Sequence, residues 1–175
     1  MTRSHQATLP MKPQGTLLFF CGKMGAGKST MSIELSKEKS AVLLSEDAWL
    51  AQLYPSQITS FDDYLRLSRQ MRPLVRSLVQ DILDTGTSVV LDFPANTATQ
   101  RAWFRNLSAE VGAPHEMVYL EASDEVCLEH IAKRRQEQPE RSHFDTEEVF
   151  LRVTRYFEEP EDIEGLNVRR IPVHT

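Results

Sequence analysis

The sequence has no apolar run long enough to cross a bilayer, few cysteines and no excess of basic residues. No uninterrupted apolar stretch approaches the roughly 20 residues that a membrane-spanning helix needs. The two cysteines, Cys21 and Cys127, lie within apolar segments, which favours buried thiols over a disulfide or a metal site. The net charge of −5 argues against a nucleic-acid partner, because such partners usually select a basic excess. We therefore expect neither a membrane nor a nucleic-acid partner.

The N-terminal segment also lacks a secretory signal. Residues 1–14 are polar and include proline, with no apolar stretch of the kind found at the centre of a signal peptide. We expect residues 1–14 to be a disordered tail of a cytoplasmic protein. The remaining residues, 15–175, are enough for one buried core and predict a single domain. The oligomeric state is left open.

Apolar runs alternate with helix-like segments along the chain, which predicts an α/β fold with a parallel sheet covered on both faces. Thr97 and Gln100 have the spacing of a capping box at the start of one helix. Pro73 is expected to kink or divide another helix, the one over 61–84. The predicted strands cover 16–21, 41–45, 88–92, 116–122 and 167–173.

A glycine-rich segment, FFCGKMGAGKSTM, lies between the first predicted strand and the first predicted helix. Its residues fit the pattern G-x-x-x-x-G-K-[ST] in the strand-to-helix context that this pattern requires. Glycine lets the backbone wrap closely around a phosphate chain, the helix start adds partial positive charge, and the lysine adds a cation. The alternative is an ordinary glycine turn. The predicted nucleotide-binding residues are Gly22, Lys23, Met24, Gly25, Ala26, Gly27, Lys28, Ser29 and Thr30.

The sequence lacks the marks of two other nucleotide-binding classes. No N-K-x-D segment of the kind that reads guanine is present, and no LSGGQ-like signature of transporter ATPases is present. A chain of this size is therefore better suited to a compact phosphotransferase.

Acidic residues stand at the ends of two predicted strands, where ligands bind in open parallel sheets. Asp92 is expected to hold Mg²⁺ together with the Ser29 hydroxyl and to border the substrate, and Asp47 is expected to accept a proton from an attacking hydroxyl. The alternatives are a helix N-cap for Asp47 and a turn role for Asp92. Glu46 either faces solvent or shares the work of Asp47, and Trp49 is a candidate wall of the acceptor pocket.

Arginines could complete a kinase site by closing over the transferred group on a lid near 135–146. Arg134 and Arg141 are the candidates, although a cation at a helix C-terminus also complements the helix dipole. Together with Asp47 and Lys28, these two arginines are the predicted catalytic residues. A further basic stripe is read as a solvated face, but it would hold a phosphate or carboxylate if it lined the crevice; it consists of Arg66, Arg69, Arg72 and Arg76.

The chain resembles a family of ATP-binding P-loop kinases, AAA_33-like. The resemblance is carried by the order of five segments: GKMGAGKS, SEDAW, VVLDFPANT, YLEASDEVCLEHIAKRR and RYFEEPEDIEGLNV. This family is similar to zeta toxins, polynucleotide 5′-hydroxyl kinases and chloramphenicol phosphotransferase. The resemblance implies a three-layer P-loop NTPase fold with five parallel strands in the order 2-3-1-4-5 and a short lid. It also implies ATP and Mg²⁺ as cofactors, Asp47 as base, Arg134 as a lid residue on ATP, and Arg101 among the substrate-binding residues.

The sequence departs from the polynucleotide kinases of this group at one position. These kinases often place an arginine three residues after the aspartate, and this chain has Leu50 there. The departure argues against a phosphorylated nucleic-acid acceptor and favours a small uncharged hydroxyl compound.

We therefore expect an ATP-dependent kinase that transfers the γ-phosphoryl group to a hydroxyl of a small-molecule acceptor. The alternatives are a nucleotide-binding regulator or switch, and a toxin-like kinase of nucleotide sugars or polynucleotides.

Overall fold

The computed structural model describes residues 13–139 and 144–174. Most of the predicted tail and the central part of the predicted lid, including Arg141, lie outside the described residues. The division into a tail, one domain and a lid therefore stays a prediction.

Five parallel strands form one sheet in the order β2-β3-β1-β4-β5, as predicted. The strands are β1 Leu17–Cys21, β2 Val42–Ser45, β3 Val89–Pro94, β4 His115–Glu121 and β5 Val168–Pro172. The helices are α1 Lys28–Glu38, α2 Glu46–Leu53, α3 Phe61–Asp84, α4 Ala98–Glu110, α5 Asp124–Glu137 and α6 Glu147–Thr154. A 3₁₀ turn at Asp162–Glu164 precedes β5.

The central strands of the sheet, β1, β3 and β4, are mostly buried on both faces, which explains why β1 reads as an unbroken apolar run. Side chains that alternate along β1 join two separate hydrophobic clusters. Leu17 and Phe19 pack on the side of α3 and α4, whereas Leu18 and Phe20 pack on the side of α1, α5 and α6. The molecule is thus a three-layer α/β fold.

Helix α3 continues through Pro73, so the expectation that proline divides it is wrong. The apolar stripe continues on both sides of the proline, with Met71 before it and Val75, Val79 and Leu83 after it, all buried. Proline within a helix costs about 3 kcal/mol, whereas each fully buried side chain of this kind contributes about 1.5–3 kcal/mol. Burial along the stripe therefore outweighs the local cost.

A register shift between β1 and β3 lies next to Asp92, one of the candidate residues. Phe19 pairs with Leu91, but the next residue of β1, Phe20, pairs with Pro94. On its other side β3 stays in register, with Asp92 opposite Ser45. Irregularities of this kind redirect side chains near functional sites. Here the shift falls where β3 reaches the carboxyl edge of the sheet.

Two local predictions are confirmed, the capping box of α4 and the buried cysteines. Thr97 and Gln100 form the reciprocal bonds of a capping box at the start of α4. Cys21 and Cys127 are buried free thiols. Among the helices of the described residues, none combines the length and the apolar character that spanning a membrane requires.

Candidate functional site

The loop between β1 and α1 closes on itself and packs against α5. Gly25 and Gly27 adopt positive φ angles of 83° and 97°, which L side chains rarely adopt. A Cβ atom at Gly25 would lie 2.5 Å from the carbonyl oxygen of Cys127 in α5. His130 Nδ1, also in α5, donates a hydrogen bond to the Gly25 carbonyl oxygen over 2.9 Å. Glycine is required at position 25 because a helix backbone occupies the place of its side chain.

The N-terminus of α1 opens into free space inside this loop. Gly27 is the N-cap residue, and no side chain caps the first turn. The N–H groups of that turn therefore have no intrahelical partner and point out of the helix. A Cβ atom at Gly27 would meet nothing within 4 Å. Uncapped donors beside free space fit the phosphates of a nucleotide.

Lys28 lies across the mouth of the loop. Its Nζ atom donates to the carbonyl oxygens of Gly22 and Lys23 over 2.6 and 2.8 Å. Withdrawal from water lowers the pKa of Lys28, and the nearby carboxylate of Asp92 partly opposes this effect. Within the described residues Lys28 bonds to carbonyl oxygens and to no carboxylate, so its cation is available to an anionic ligand.

Asp92 contacts the phosphate loop directly. Its carboxylate accepts hydrogen bonds from the Ser29 hydroxyl over 3.1 Å and from the Ser45 hydroxyl over 3.4 Å. Burial raises the pKa of Asp92, the Ser29 bond lowers it, and the charge of Asp47 raises it further. A serine hydroxyl beside a carboxylate is an oxygen donor pair of the kind that Mg²⁺ takes beside nucleotide phosphates.

Asp47 and Trp49 lie in α2, directly after β2. Asp47 is exposed in the first turn, and the helix begins at the N-cap Ser45, so the alternative role of Asp47 as the N-cap is wrong. Asp47 follows two residues after Ser45, which pairs with Asp92 across β2 and β3, so it lies beside the carboxyl edge of β3. Trp49 is partly buried against the core, and its contact with an acceptor stays a prediction.

Glu46 is buried rather than solvent-facing, with 1% of its surface exposed. Its carboxylate accepts hydrogen bonds from the hydroxyls of Tyr64 and Ser68 in α3. Burial raises the pKa of Glu46, and these two bonds lower it. Glu46 therefore joins α2 to α3 behind Asp47 and does not itself face the crevice. The sequence signal for this role was weak, since Tyr64 and Ser68 merely lie four residues apart on the inner side of α3.

Arg101 must be removed from the predicted substrate-binding residues. It is 1% exposed, and its guanidinium forms a forked ion pair with Glu164 over 2.7 and 2.8 Å. It also donates to the carbonyl oxygen of Glu158 over 2.7 Å. The residue is occupied in holding the segment before β5 against α4, because a buried guanidinium must satisfy its donors internally.

Arg134 lies in the last turn of α5. Its Nε atom donates to the buried carboxylate of Asp145 over 2.7 Å. Its charge also contributes to lowering the pKa of Lys28, which indicates that the two cations are near each other. The predicted contact of Arg134 with ATP stays a prediction, and Arg141 lies outside the described residues.

Two further contacts hold the phosphate loop, and sequence reasoning missed both. Asn96 Oδ1 accepts a hydrogen bond from the Gly22 N–H over 3.1 Å, and Gln100 in turn accepts one from the Asn96 N–H. Lys23 forms an ion pair with Asp124 at the start of α5 over 2.5 Å. Contacts within the protein therefore hold the loop from two sides without a ligand.

Comparison with known proteins places this geometry in a family. The family model AAA_33, described as AAA domain, matches residues 17–160. No curated protein matches the sequence. Among solved structures, the chain is similar to the Mycobacterium tuberculosis APS kinase CysC in complex with AMPPNP and APS, with a TM-score of 0.59, 18% identity and coverage of 92% of this chain and 90% of that one.

Two further structures share the fold. A protein from Chloroflexus aurantiacus j-10-fl, described provisionally as a kinase, gives a TM-score of 0.66 at 18% identity, with 91% of this chain and 86% of that chain covered. A sugar kinase from Janibacter sp. HTCC2649 gives a TM-score of 0.59 at 18% identity, with the same coverage. At such identity these likenesses show the fold alone. Since the family model covers most of the chain and the fold agrees with it, the protein belongs to the AAA_33 family of P-loop kinase-like domains.

Proposed function

We propose that the protein is a kinase that transfers the γ-phosphoryl group of ATP to a hydroxyl of a small-molecule acceptor. The observation that carries the proposal is the hydrogen bond between Asp92 and Ser29, which joins a strand-end carboxylate to the phosphate loop. The exposed carboxylate of Asp47 lies within electrostatic reach of this pair. A phosphate site and a free carboxylate at one sheet edge are the two halves of a phosphoryl-transfer site.

Ser29 and Asp92 are the residues that would hold Mg²⁺, and the ion would supply positive charge to neutralise the phosphates. The described residues contain no group of three side chains suited to bind a metal by themselves. Mg²⁺ commonly takes only one or two protein ligands beside substrate phosphates and water, so a pair fits it.

Each polar side chain has a task that follows from its position. The N–H groups at the start of α1 bind the phosphates, and Lys28 exchanges its carbonyl partners for phosphate oxygens. Asp47 accepts the proton of the attacking hydroxyl, while Arg134 and the predicted lid residue Arg141 stabilise charge on the migrating group. We also propose a cytoplasmic location for this activity.

The variant Asp47→Asn tests the acceptor half of the proposal. We expect its affinity for a non-hydrolysable ATP analogue to stay within about twofold of wild type, because Asp47 does not contact the phosphate loop. Acceptor-dependent ADP release should fall by about 10²–10⁴-fold, the usual contribution of a general base. The readout is ADP release across a panel of hydroxyl compounds, with nucleotide affinity measured by calorimetry.

Asp62→Asn is the matched control, since Asp62 is also an exposed carboxylate in the first turn of a helix. It should leave both quantities unchanged. Equal loss of nucleotide affinity and turnover in Asp47→Asn would contradict the role of Asp47 as base. If no acceptor accelerates turnover and a partner protein is retained in only one nucleotide state, the regulatory alternative is favoured instead.

A further inference from the structure

We propose that the acceptor carries an anionic group, a phosphate or a carboxylate, which is held by Arg72. This inference rests on the proposed function, because it names the class of acceptor used by the same site.

Arg72 differs from the three other arginines of the basic stripe in α3. Arg66 donates to Asp63 over 3.2 Å, and Arg76 donates to Glu110 from α4, so both are paired with carboxylates. Arg69 is exposed on the outer side of the helix. Arg72 is partly exposed, and within residues 13–139 and 144–174 no side chain or carbonyl accepts a hydrogen bond from it. Its donors are therefore available to a ligand.

An aromatic platform holds the guanidinium of Arg72 in place. Its Cζ atom lies 5.2 Å from the centre of the Trp103 ring in α4. Trp103 is itself fixed edge-on against the buried Phe104, with ring centres 4.9 Å apart. Stacking on an aromatic face orders the guanidinium and leaves its in-plane N–H groups free, in the fork that matches phosphate and carboxylate oxygens.

The charge of Arg72 acts on the side of the site where an acceptor would lie. Burial raises the pKa of Glu46, and the smaller influences on it include Asp47, which raises it, and Arg72, which lowers it. Arg72 also lowers the pKa of Tyr64, against a larger increase from burial. The helix geometry agrees: Arg72 lies one turn after Ser68 in α3, and the Ser68 hydroxyl donates to Glu46, the neighbour of Asp47.

The burial of Leu50 leaves the expectation of an uncharged acceptor without support. That expectation rested on Leu50, which occupies the place of an arginine in related polynucleotide kinases. Leu50 is 1% exposed and belongs to the core, so it lines no part of the crevice. The cation that α2 lacks is supplied from α3 by Arg72. The competing explanation is that Arg72 only balances the buried charge of Glu46, and the experiment must separate the two.

The first experiment compares acceptors in matched pairs that differ by one anionic group: glycerol with glycerol 3-phosphate, ribose with ribose 5-phosphate, and glucose with glucuronate. ADP release is measured for wild type, Arg72→Gln, Arg72→Lys and the control Arg69→Gln. We expect wild type to prefer an anionic member. In Arg72→Gln its kcat/KM should fall by about 10- to 100-fold, mainly through KM, because a charged hydrogen-bond donor is lost. Arg72→Lys should restore part of this loss, since it keeps the charge but not the fork.

The neutral compounds and the Arg69→Gln control should change by less than about twofold, in line with surface substitutions away from a site. A preference for the neutral members would overturn the inference. So would an equal loss with neutral and anionic members in Arg72→Gln, because that result indicates only the balancing of Glu46.

A second measurement distinguishes failure of the inference from failure of the proposed function. Inorganic phosphate is titrated into protein saturated with Mg²⁺ and a non-hydrolysable ATP analogue, which blocks the phosphate loop. Tryptophan fluorescence is the readout, because Arg72 lies over Trp103. If no compound raises ATP consumption, the kinase proposal fails for this panel, yet phosphate binding that disappears in Arg72→Gln still supports the anion site. Absence of Arg72-dependent phosphate binding in that case overturns it.

Discussion

Two glycines of the phosphate loop provide the sharpest test of its geometry, because alanine should mainly reduce stability at one position and mainly reduce nucleotide affinity at the other. Gly25 and Gly27 both have positive φ angles, so alanine at either position carries the cost of a left-handed backbone, about 1–2 kcal/mol. Their surroundings differ. The new Cβ atom at Gly25 would meet the Cys127 carbonyl oxygen at 2.5 Å and the Ile131 side chain at 2.9 Å, whereas at Gly27 it would meet nothing within 4 Å.

The magnitudes follow from these distances. A separation of 2.5 Å lies far inside the roughly 3.5 Å of van der Waals contact, and the clashing atom belongs to a helix backbone that cannot turn aside. Overpacking of this kind costs about 1–3 kcal/mol, so Gly25→Ala should lose about 2–5 kcal/mol of unfolding free energy. Gly27→Ala should lose only about 1–2 kcal/mol, because it has no clash.

Nucleotide affinity, unlike stability, should depend mainly on Gly27. If the phosphates lie against the uncapped first turn of α1, a methyl group at Gly27 displaces them from its N–H donors. Each lost bond to a charged oxygen is worth about 1.5–3 kcal/mol, and affinity should fall by at least about 10-fold for each one. Gly27→Ala should thus be well folded but defective in binding.

Urea unfolding gives the stability of both variants, and calorimetry with Mg²⁺ and an ATP analogue gives their affinity. The reasoning is refuted if Gly25→Ala is as stable as Gly27→Ala, or if Gly27→Ala binds the analogue as wild type does. The first result would show that α5 does not press on the loop. The second would show that the nucleotide lies elsewhere.

Three further predictions concern the interior. Arg101→Met should lower the unfolding free energy by about 3–5 kcal/mol in urea, because it leaves Glu164 without its partner, and adding Glu164→Leu should recover part of the loss; a loss under about 1 kcal/mol would contradict this role. Burial raises the pKa of Glu46 above its ordinary value of 4.5, so the folded protein holds this proton more tightly than the unfolded chain. The stability that this group contributes is therefore present at low pH and is lost as the pH rises above 4.5. Glu46→Gln cannot ionise and should lose less unfolding free energy between pH 4.5 and neutrality, whereas parallel stability curves would refute the buried charge. Burial raises the pKa of Cys21 to about 11 and also raises that of Cys127, so iodoacetamide should modify both thiols only after unfolding, and rapid labelling of the native protein would show that the strand and helix carrying them open.

The phosphate loop and the layered fold were predictable because their signals are local. The loop takes its form from glycines within eight consecutive residues, and the predicted helix follows it directly as α1, Lys28–Glu38. The strands follow from apolar runs, and the capping box of α4 from two residues three positions apart. The strand order came from the resemblance to a family rather than from the pattern of residues.

The parts that sequence reasoning missed or assigned wrongly depend on residues distant in the chain. Asn96 supports the phosphate loop from 74 residues away, and Arg101 reaches its partner 63 residues later. The proline in α3 was expected to kink or divide the helix, and the helix is not divided, because the burial that outweighs the proline is not visible in the local sequence.

By itself, therefore, the sequence determined the layered architecture, the phosphate loop and the two acidic strand ends, since short spacing alone fixes which backbone groups converge. Only the tertiary structure decided which charged side chains are withdrawn from water and which face the crevice. It buried Arg101 and Glu46 and left Arg72 partly exposed over an aromatic ring. The physical reason is that a charge is satisfied by whatever surrounds it in space, and those surroundings exist only once the chain has folded.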